Sequence, residues 1–222
     1  MKPRLIIFDC DGTLVDSQHD IVAAMDHAFT AQSLTPPSRA ATLAIVGLSV
    51  PEAIRALAPH LEAGQHDAIA QTFRAGGPVH RLAGGKQDLL YPGALEAVTA
   101  LAARENVVLG VATGKSRRGV ERLFHKYRWH DHFATIQTAD TNPSKPDPGM
   151  ILAAMADTGA APAQTVMIGD TSFDILMARA AGVTAIGVAW GYHAVADLEA
   201  AGAHAVAPDF AALLAALDAP PC

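Results

Sequence analysis

Cysteine, long apolar runs and clustered positive charge are all scarce in this 222-residue chain. The two cysteines, Cys10 and Cys222, are too few for a secreted disulfide scaffold, which points to a reducing compartment. The apolar run Leu5-Ile6-Ile7-Phe8 near the N-terminus is too short for a signal-peptide core, and no stretch reaches the uninterrupted length of a membrane span. Net charge is −6 with the basic residues scattered, so the electrostatic footprint of a nucleic-acid or anionic-lipid binder is missing. These absences predict a soluble cytoplasmic protein with no nucleic-acid and no membrane partner, and they leave the oligomeric state open. What is present is a globular composition, 50% hydrophobic and 17% charged. The length suits one full domain plus a smaller insert, with a core that needs neither disulfides nor a structural metal.

Short apolar runs alternate with amphipathic helical stretches through most of the chain. Residues 5–8, 107–112, 135–138, 166–168 and 185–188 read as strands, and 94–103, 117–127, 149–157 and 173–181 as helices. Breakers follow two of those helices, at Gly159 and Gly182. Strand, helix, strand at this spacing predicts the α/β class: a Rossmann-like parallel sheet core with helices on both faces. Residues 18–88 break the alternation, with helical patches separated by Pro36-Pro37, Gly47, Gly64 and Gly76-Gly77-Pro78. Pro51 sits early in a helix start that runs to Leu57. This region reads as a helical insert after the first strand, and Tyr91-Pro92-Gly93 marks the return to the sheet. The expected division is a core of 1–16 and 89–222 with a small helical cap domain over 17–88.

Open α/β sheets carry their sites where strands end and loops lead to helices. Four clusters stand at such places. In Asp9-Cys10-Asp11-Gly12-Thr13-Leu14-Val15-Asp16-Ser17, strand alternation points Asp9 and Asp11 the same way, and Gly12 permits a sharp turn. Two carboxylates facing one way need a cation or a shared proton, and a hard ion such as Mg²⁺ answers that need. Thr113-Gly114-Lys115-Ser116 offers a hydroxyl and helix N-terminal donors to a phosphate oxygen, or merely caps the next helix. In Ser144-Lys145-Pro146-Asp147-Pro148, Lys145 is either a charge-neutralising group on a stiff loop or a plain surface lysine. Gly169-Asp170-Thr171-Ser172-Phe173-Asp174 places one acid at a strand end and another in the first helical turn, where acids also sit for dipole reasons alone. A cysteine phosphatase is excluded, because Asp16 stands where the Cys-x5-Arg loop from Cys10 requires arginine.

In this order the four clusters resemble the four motifs of the haloacid dehalogenase-like hydrolase superfamily, and the helical insert resembles its small helical cap. The nine-residue string after Phe8 and Tyr91-Pro92-Gly93 are similar to the phosphoglycolate phosphatase branch. The resemblance implies that Asp9 attacks phosphorus to form an aspartyl-phosphate, and that Asp11 protonates the leaving oxygen and then activates water. It further implies that Thr113 and Lys145 hold the phosphoryl oxygens. The implied Mg²⁺ is bound by Asp9, the backbone carbonyl of Asp11 and Asp170, with Asp174 in or next to that shell. An acid at Asp11 favours a phosphatase or a phosphomutase, since dehalogenases and phosphonate hydrolases of this type lack it. The expectation is a Mg²⁺-dependent phosphatase of a small phosphorylated metabolite such as phosphoglycolate. The alternatives are a sugar-phosphate phosphomutase and a regulatory homologue without turnover.

In the insert, residues 47–52 resemble the cap loop that reaches the active site in relatives. Mutases often carry arginine near the position of Val50, and its absence lowers that alternative. Arg74, His80, Arg81 and Lys86 are further polar candidates, weighed against a solvated glycine-rich loop. His125, His130 and His132 lack metal-ligand spacing and read as surface groups.

Overall fold

Strand alternation at the N-terminus sets the layering of the whole molecule. The computed structural model describes residues 4–82 and 89–218, the side chains of 76–82 excepted. Lys86, Cys222 and the side chains of His80 and Arg81 therefore lie outside the described residues, as does the expected cap boundary at 88. The chain opens with β1 (Arg4–Phe8) and the two-residue β2 (Val15–Asp16). Helices α1 (Gln18–Thr30), α2 (Arg39–Leu43), α3 (Val50–Leu57) and α4 (Ala63–Leu82) form the insert. The chain returns through β3 (Leu89–Leu90), which pairs antiparallel with β2, and α5 (Ala94–Ala102). Next come β4 (Val107–Thr113), α6 (Arg117–Tyr127), β5 (Phe133–Thr138) and α7 (Gly149–Thr158). The last part holds β6 (Thr165–Gly169), α8 (Ser172–Ala180), β7 (Thr184–Val188), α9 (Val195–Ala200), β8 (Ala205–Ala207) and α10 (Phe210–Asp218).

The sheet order is β5-β4-β1-β6-β7-β8, with every pairing parallel. Successive side chains of a strand face opposite ways. Ile6 and Phe8 accordingly join one core layer with Val98 of α5, Leu123 of α6 and Leu213 of α10. Leu5 and Ile7 join the other, with Ile151 of α7, Ile175 of α8 and Leu198 of α9. The expected α/β class, a parallel sheet covered on both faces, is the observed one. Strand order reverses at β1, with β4 on one side and β6 on the other, which opens a crevice at its carboxyl end. Asp9 stands there.

The insert has a hydrophobic centre of its own, built from Met25 and Phe29 of α1, Ile54 of α3 and Ile69 of α4. Ser49 caps α3 by accepting from the Glu52 amide, and Pro51 stands in the first turn, where its missing N–H costs nothing. Five elements at the edges went unread in the sequence: β8, α9, α10 and the tiny β2–β3 pair. Ala205-Val206-Ala207 has little strand propensity of its own, and its pairing with β7 is a tertiary effect. Among the described residues no helix is long and apolar enough to cross a membrane.

Candidate active site

All four clusters converge at the carboxyl edge of the sheet. Asp9 follows β1 and anchors its backbone by donating to the Ile168 carbonyl at 2.9 Å. Asp170 follows β6, and Asp174 lies in the first turn of α8. All three side chains are fully buried, and one carboxylate oxygen from each lies within 4.8 Å of the others. The reading of Lys145 as a plain surface lysine does not hold, because its side chain is buried among these acids. Its Nζ donates to Asp174 Oδ1 at 2.6 Å and lies 3.0 Å from Asp9 Oδ1. Burial alone would lower the Lys145 pKa, but Asp174 and Asp9 outweigh it and push the value up.

Three buried carboxylates around one ammonium leave negative charge uncompensated. Burial pushes the Asp9 carboxyl up to about 6, with Asp174 adding to the shift and Lys145 opposing it. Burial, then Asp174 and Asp9, raise Asp170 as well. Neither Asp9 oxygen accepts a well-formed hydrogen bond from the protein. An orphaned, fully buried carboxylate beside two other acids is the donor set of a hard divalent cation. The residues therefore fit Mg²⁺.

The remaining acids are held in more ordinary ways. Asp170 accepts from the Thr13 hydroxyl at 2.8 Å and from the Tyr192 amide at 2.9 Å. Asp174 also closes a capping box with Thr171, so the dipole reading and the cluster reading both apply to it. Asp11 is not one of that trio: its Oδ1 accepts from Lys115 Nζ and from Ser17 Oγ, each at 2.6 Å. Thr113 is buried at the end of β4, whereas Ser116 is the residue that caps α6, by accepting from the Gly119 amide. Cys10 belongs to the hydrophobic core, and burial pushes its thiol pKa up, so it is no nucleophile.

Sequence reasoning missed the clamp on Asp11 and the loop after β7. Gly191 approaches Asp170 so closely that a Cβ there would lie 2.0 Å from the Asp170 Cβ. Gly12 presses on the same carboxylate from the other side with φ +89°, where a Cβ would meet Oδ2 at 2.1 Å. Trp190 donates to the Thr13 carbonyl, and the Tyr192 hydroxyl lies 3.2 Å from Ser17 Oγ. The strand-end rule applied once more, after residues 185–188, points at this loop.

The insert leans over the cluster. The Ser49 amide donates to Ser144 Oγ at 2.8 Å, beside Lys145, and His193 Nε2 lies 3.2 Å from the Ala44 carbonyl. Between insert and sheet domain lies a cavity of about 290 Å³. Asp11 and Thr113 line its floor, and residues 45–51 form much of its wall. Arg74 stands on the lining as an exposed group.

A doubly wound parallel sheet with acids and a buried lysine at its carboxyl edge, and a helical insert after the first strand, defines the class of protein. The chain belongs to the haloacid dehalogenase-like hydrolase family, whose sequence pattern matches residues 6–188. It is 36% identical over 224 residues to the Dickeya dadantii protein named "Probable phosphatase IndB", across 99% of this chain and 95% of that one. It is 32% identical over 220 residues to a phosphoglycolate phosphatase of Pseudomonas putida, covering 96% of this chain and 79% of the relative. The crystal structure of a hydrolase from Pseudomonas syringae superposes with a TM-score of 0.85 at 28% identity, over 98% of both chains.

Proposed function

We propose that this protein is a Mg²⁺-dependent phosphatase that hydrolyses a small phosphomonoester, the class to which phosphoglycolate belongs, through an aspartyl-phosphate on Asp9. The observation that carries the reading is the buried Asp9 carboxylate, unsolvated and 3.0 Å from Lys145 Nζ, at the carboxyl end of β1 where strand order reverses. An Asp9 oxygen attacks phosphorus as the bond to the leaving oxygen breaks, and Asp11 gives that oxygen a proton. Water then attacks the phosphorus of the acyl phosphate, Asp11 takes its proton, and inorganic phosphate and free Asp9 result. Lys115 and Ser17 fix the Asp11 carboxylate for both steps. Thr113 and Lys145 bind the phosphoryl oxygens, and Lys145 offsets their charge. Asp9, the Asp11 backbone carbonyl and Asp170 would hold Mg²⁺, with Asp174 beside them. The ion supplies neutralisation of the phosphoryl charge.

Residues 17–88 act in this proposal as a cap that closes on the site and excludes water. The setting is the cytoplasm, where phosphorylated metabolites are retained. A phosphomutase must grip a second phosphate, and Val50 offers an apolar side chain where that grip is expected. Phosphate release across a panel of small phosphomonoesters, with Mg²⁺ and with chelator, tests the proposal. Metal-dependent release supports it; isomer formation without net phosphate loss, or release indifferent to chelator, overturns it.

A further inference from the structure

The cavity above Asp11 and Thr113 has a wall that a two-carbon acid does not need. Its insert side is mostly hydrocarbon, Ile21, Met25, Val46, Val50 and Phe73, with Asp20, Ser49 and Arg74 as its polar members. Met25 belongs to the hydrophobic centre of the insert, and Val50 and Phe73 pack against it, so the wall is the outer face of a set cluster. Charge lines the opposite side. Lys115 is paired with Asp11, and Asp140 shares that side with Arg118 and Arg122. At about 30 Å³ of liquid per water, a 290 Å³ space corresponds to roughly ten waters, of which a glycolate group would displace about two or three. The rest would stay wet against hydrocarbon, and ligand pockets gain most where apolar wall meets apolar ligand.

We infer that the preferred substrate is a phosphomonoester whose leaving alcohol carries an apolar ring or branched group, seated against Met25, Val50 and Phe73. This rests on the phosphatase reading above and narrows it. The phosphoryl group lies at Asp9, the leaving oxygen faces Asp11, and the hydrocarbon fills the space beneath the insert.

The test compares kcat/KM for benzyl phosphate, phosphoglycolate and a hexose 6-phosphate. Benzyl alcohol is about as basic a leaving group as the other two alcohols, so a preference for it reports the pocket and not intrinsic reactivity. Benzyl phosphate is expected to exceed phosphoglycolate by at least tenfold. Phe73→Ala should lower that ratio about tenfold, and Phe73→Leu should restore most of it. Because Phe73 also supports the insert, Val50→Thr serves as a near-isosteric second variant, expected to lower the ratio about threefold. Equal or better turnover of phosphoglycolate or the hexose phosphate by the unaltered protein overturns the inference, as does a ratio that neither site moves. Acetyl phosphate separates the two levels. Hydrolysis that Asp9→Asn abolishes keeps the phosphatase reading whatever the leaving-group preference, whereas silence toward every compound, acetyl phosphate included, removes both.

Discussion

The sheet side of the cleft buries charge, whereas the insert side presents hydrocarbon. On the sheet side, Asp9, Asp170, Asp174 and Lys145 are buried at the carboxyl edge of the sheet and tied by contacts of 2.6 to 3.0 Å. On the insert side, Val50 and Phe73 are only half buried and rest on a small cluster of their own. Buried ions must be partnered within a few tenths of an ångström or they destabilise the fold, so each one constrains its neighbours. Hydrocarbon contact is non-directional, and one apolar side chain can replace another at small cost. The contrast predicts that chemistry is fixed on the sheet side and selection is delegated to the more tolerant insert side.

The strongest way to break the comparison is Asp9→Asn. If the sheet side does the chemistry, turnover falls by at least about a thousandfold, as for other nucleophile removals. Residual phosphate release within tenfold of the unaltered enzyme would remove Asp9 as nucleophile. No single change on the insert wall should approach this loss.

Lys145→Met probes the same side through stability. It leaves Asp9 and Asp174 buried without their shared cation, and breaking a buried pair costs about 3–5 kcal/mol. At roughly 2–4 °C per kcal/mol for a chain of this size, Tm should drop by about ten degrees in calorimetry. Adding Asp174→Asn should recover part of the drop without restoring activity. A Tm within two degrees or so of the original would mean that the lysine is not what holds the acids together.

A smaller effect separates metal from protein. The Asp9 carboxyl, ordinarily near 4, is pushed up to about 6 by burial. A raised folded-state value favours folding at low pH: the contribution is complete below the unfolded value and is lost as pH rises through about 6. At about 1.4 kcal/mol per unit, the metal-free protein loses about 3 kcal/mol from this group by pH 7. In chelator, Asp9→Asn should therefore be the more stable protein at pH 7, with the gap closing by pH 4. Mg²⁺ should stabilise the unaltered protein at pH 7 and the variant less. Melting curves across pH, with and without metal, would contradict this if the two proteins ran parallel.

The contrast also explains what was legible in the sequence. Asp9, Thr113 and Asp170 follow apolar runs, a local pattern that needs no structure to see, whereas Lys145 was marked only by the prolines of its loop. Asp174 was ambiguous because a helix-capping acid and a cluster acid look alike along the chain. Lys115 was hidden behind a capping reading of its tetrapeptide that proved true of its neighbour Ser116. Its contact with Asp11 spans 104 positions, and nothing local announces it. The insert wall had no signature at all. Met25 and Phe73 occupy ordinary apolar positions of helices, and only the packing of α1 against α4 shows that they border a cavity. Hydrocarbon selects by shape, and shape is a property of the folded chain.

The smallest predicted effect lies where the two sides meet. Ser144 Oγ accepts from the Ser49 amide across the gap between sheet domain and insert. Ser144→Ala removes that acceptor and nothing else of the site, while the half-buried Ser49 amide can turn to water. One neutral hydrogen bond is worth about 1 kcal/mol, so the ratio of docked to undocked protein should fall about fivefold. If substrate binds only with the insert docked, KM should rise by up to that factor. Then kcat should stay within twofold, because Asp9, Asp11 and Lys145 are untouched. A fall in kcat with KM unchanged would mean that Ser144 acts on the sheet side, by fixing Lys145, and not as a latch. That outcome would move the border between the two sides one residue outward, to Ser49 itself.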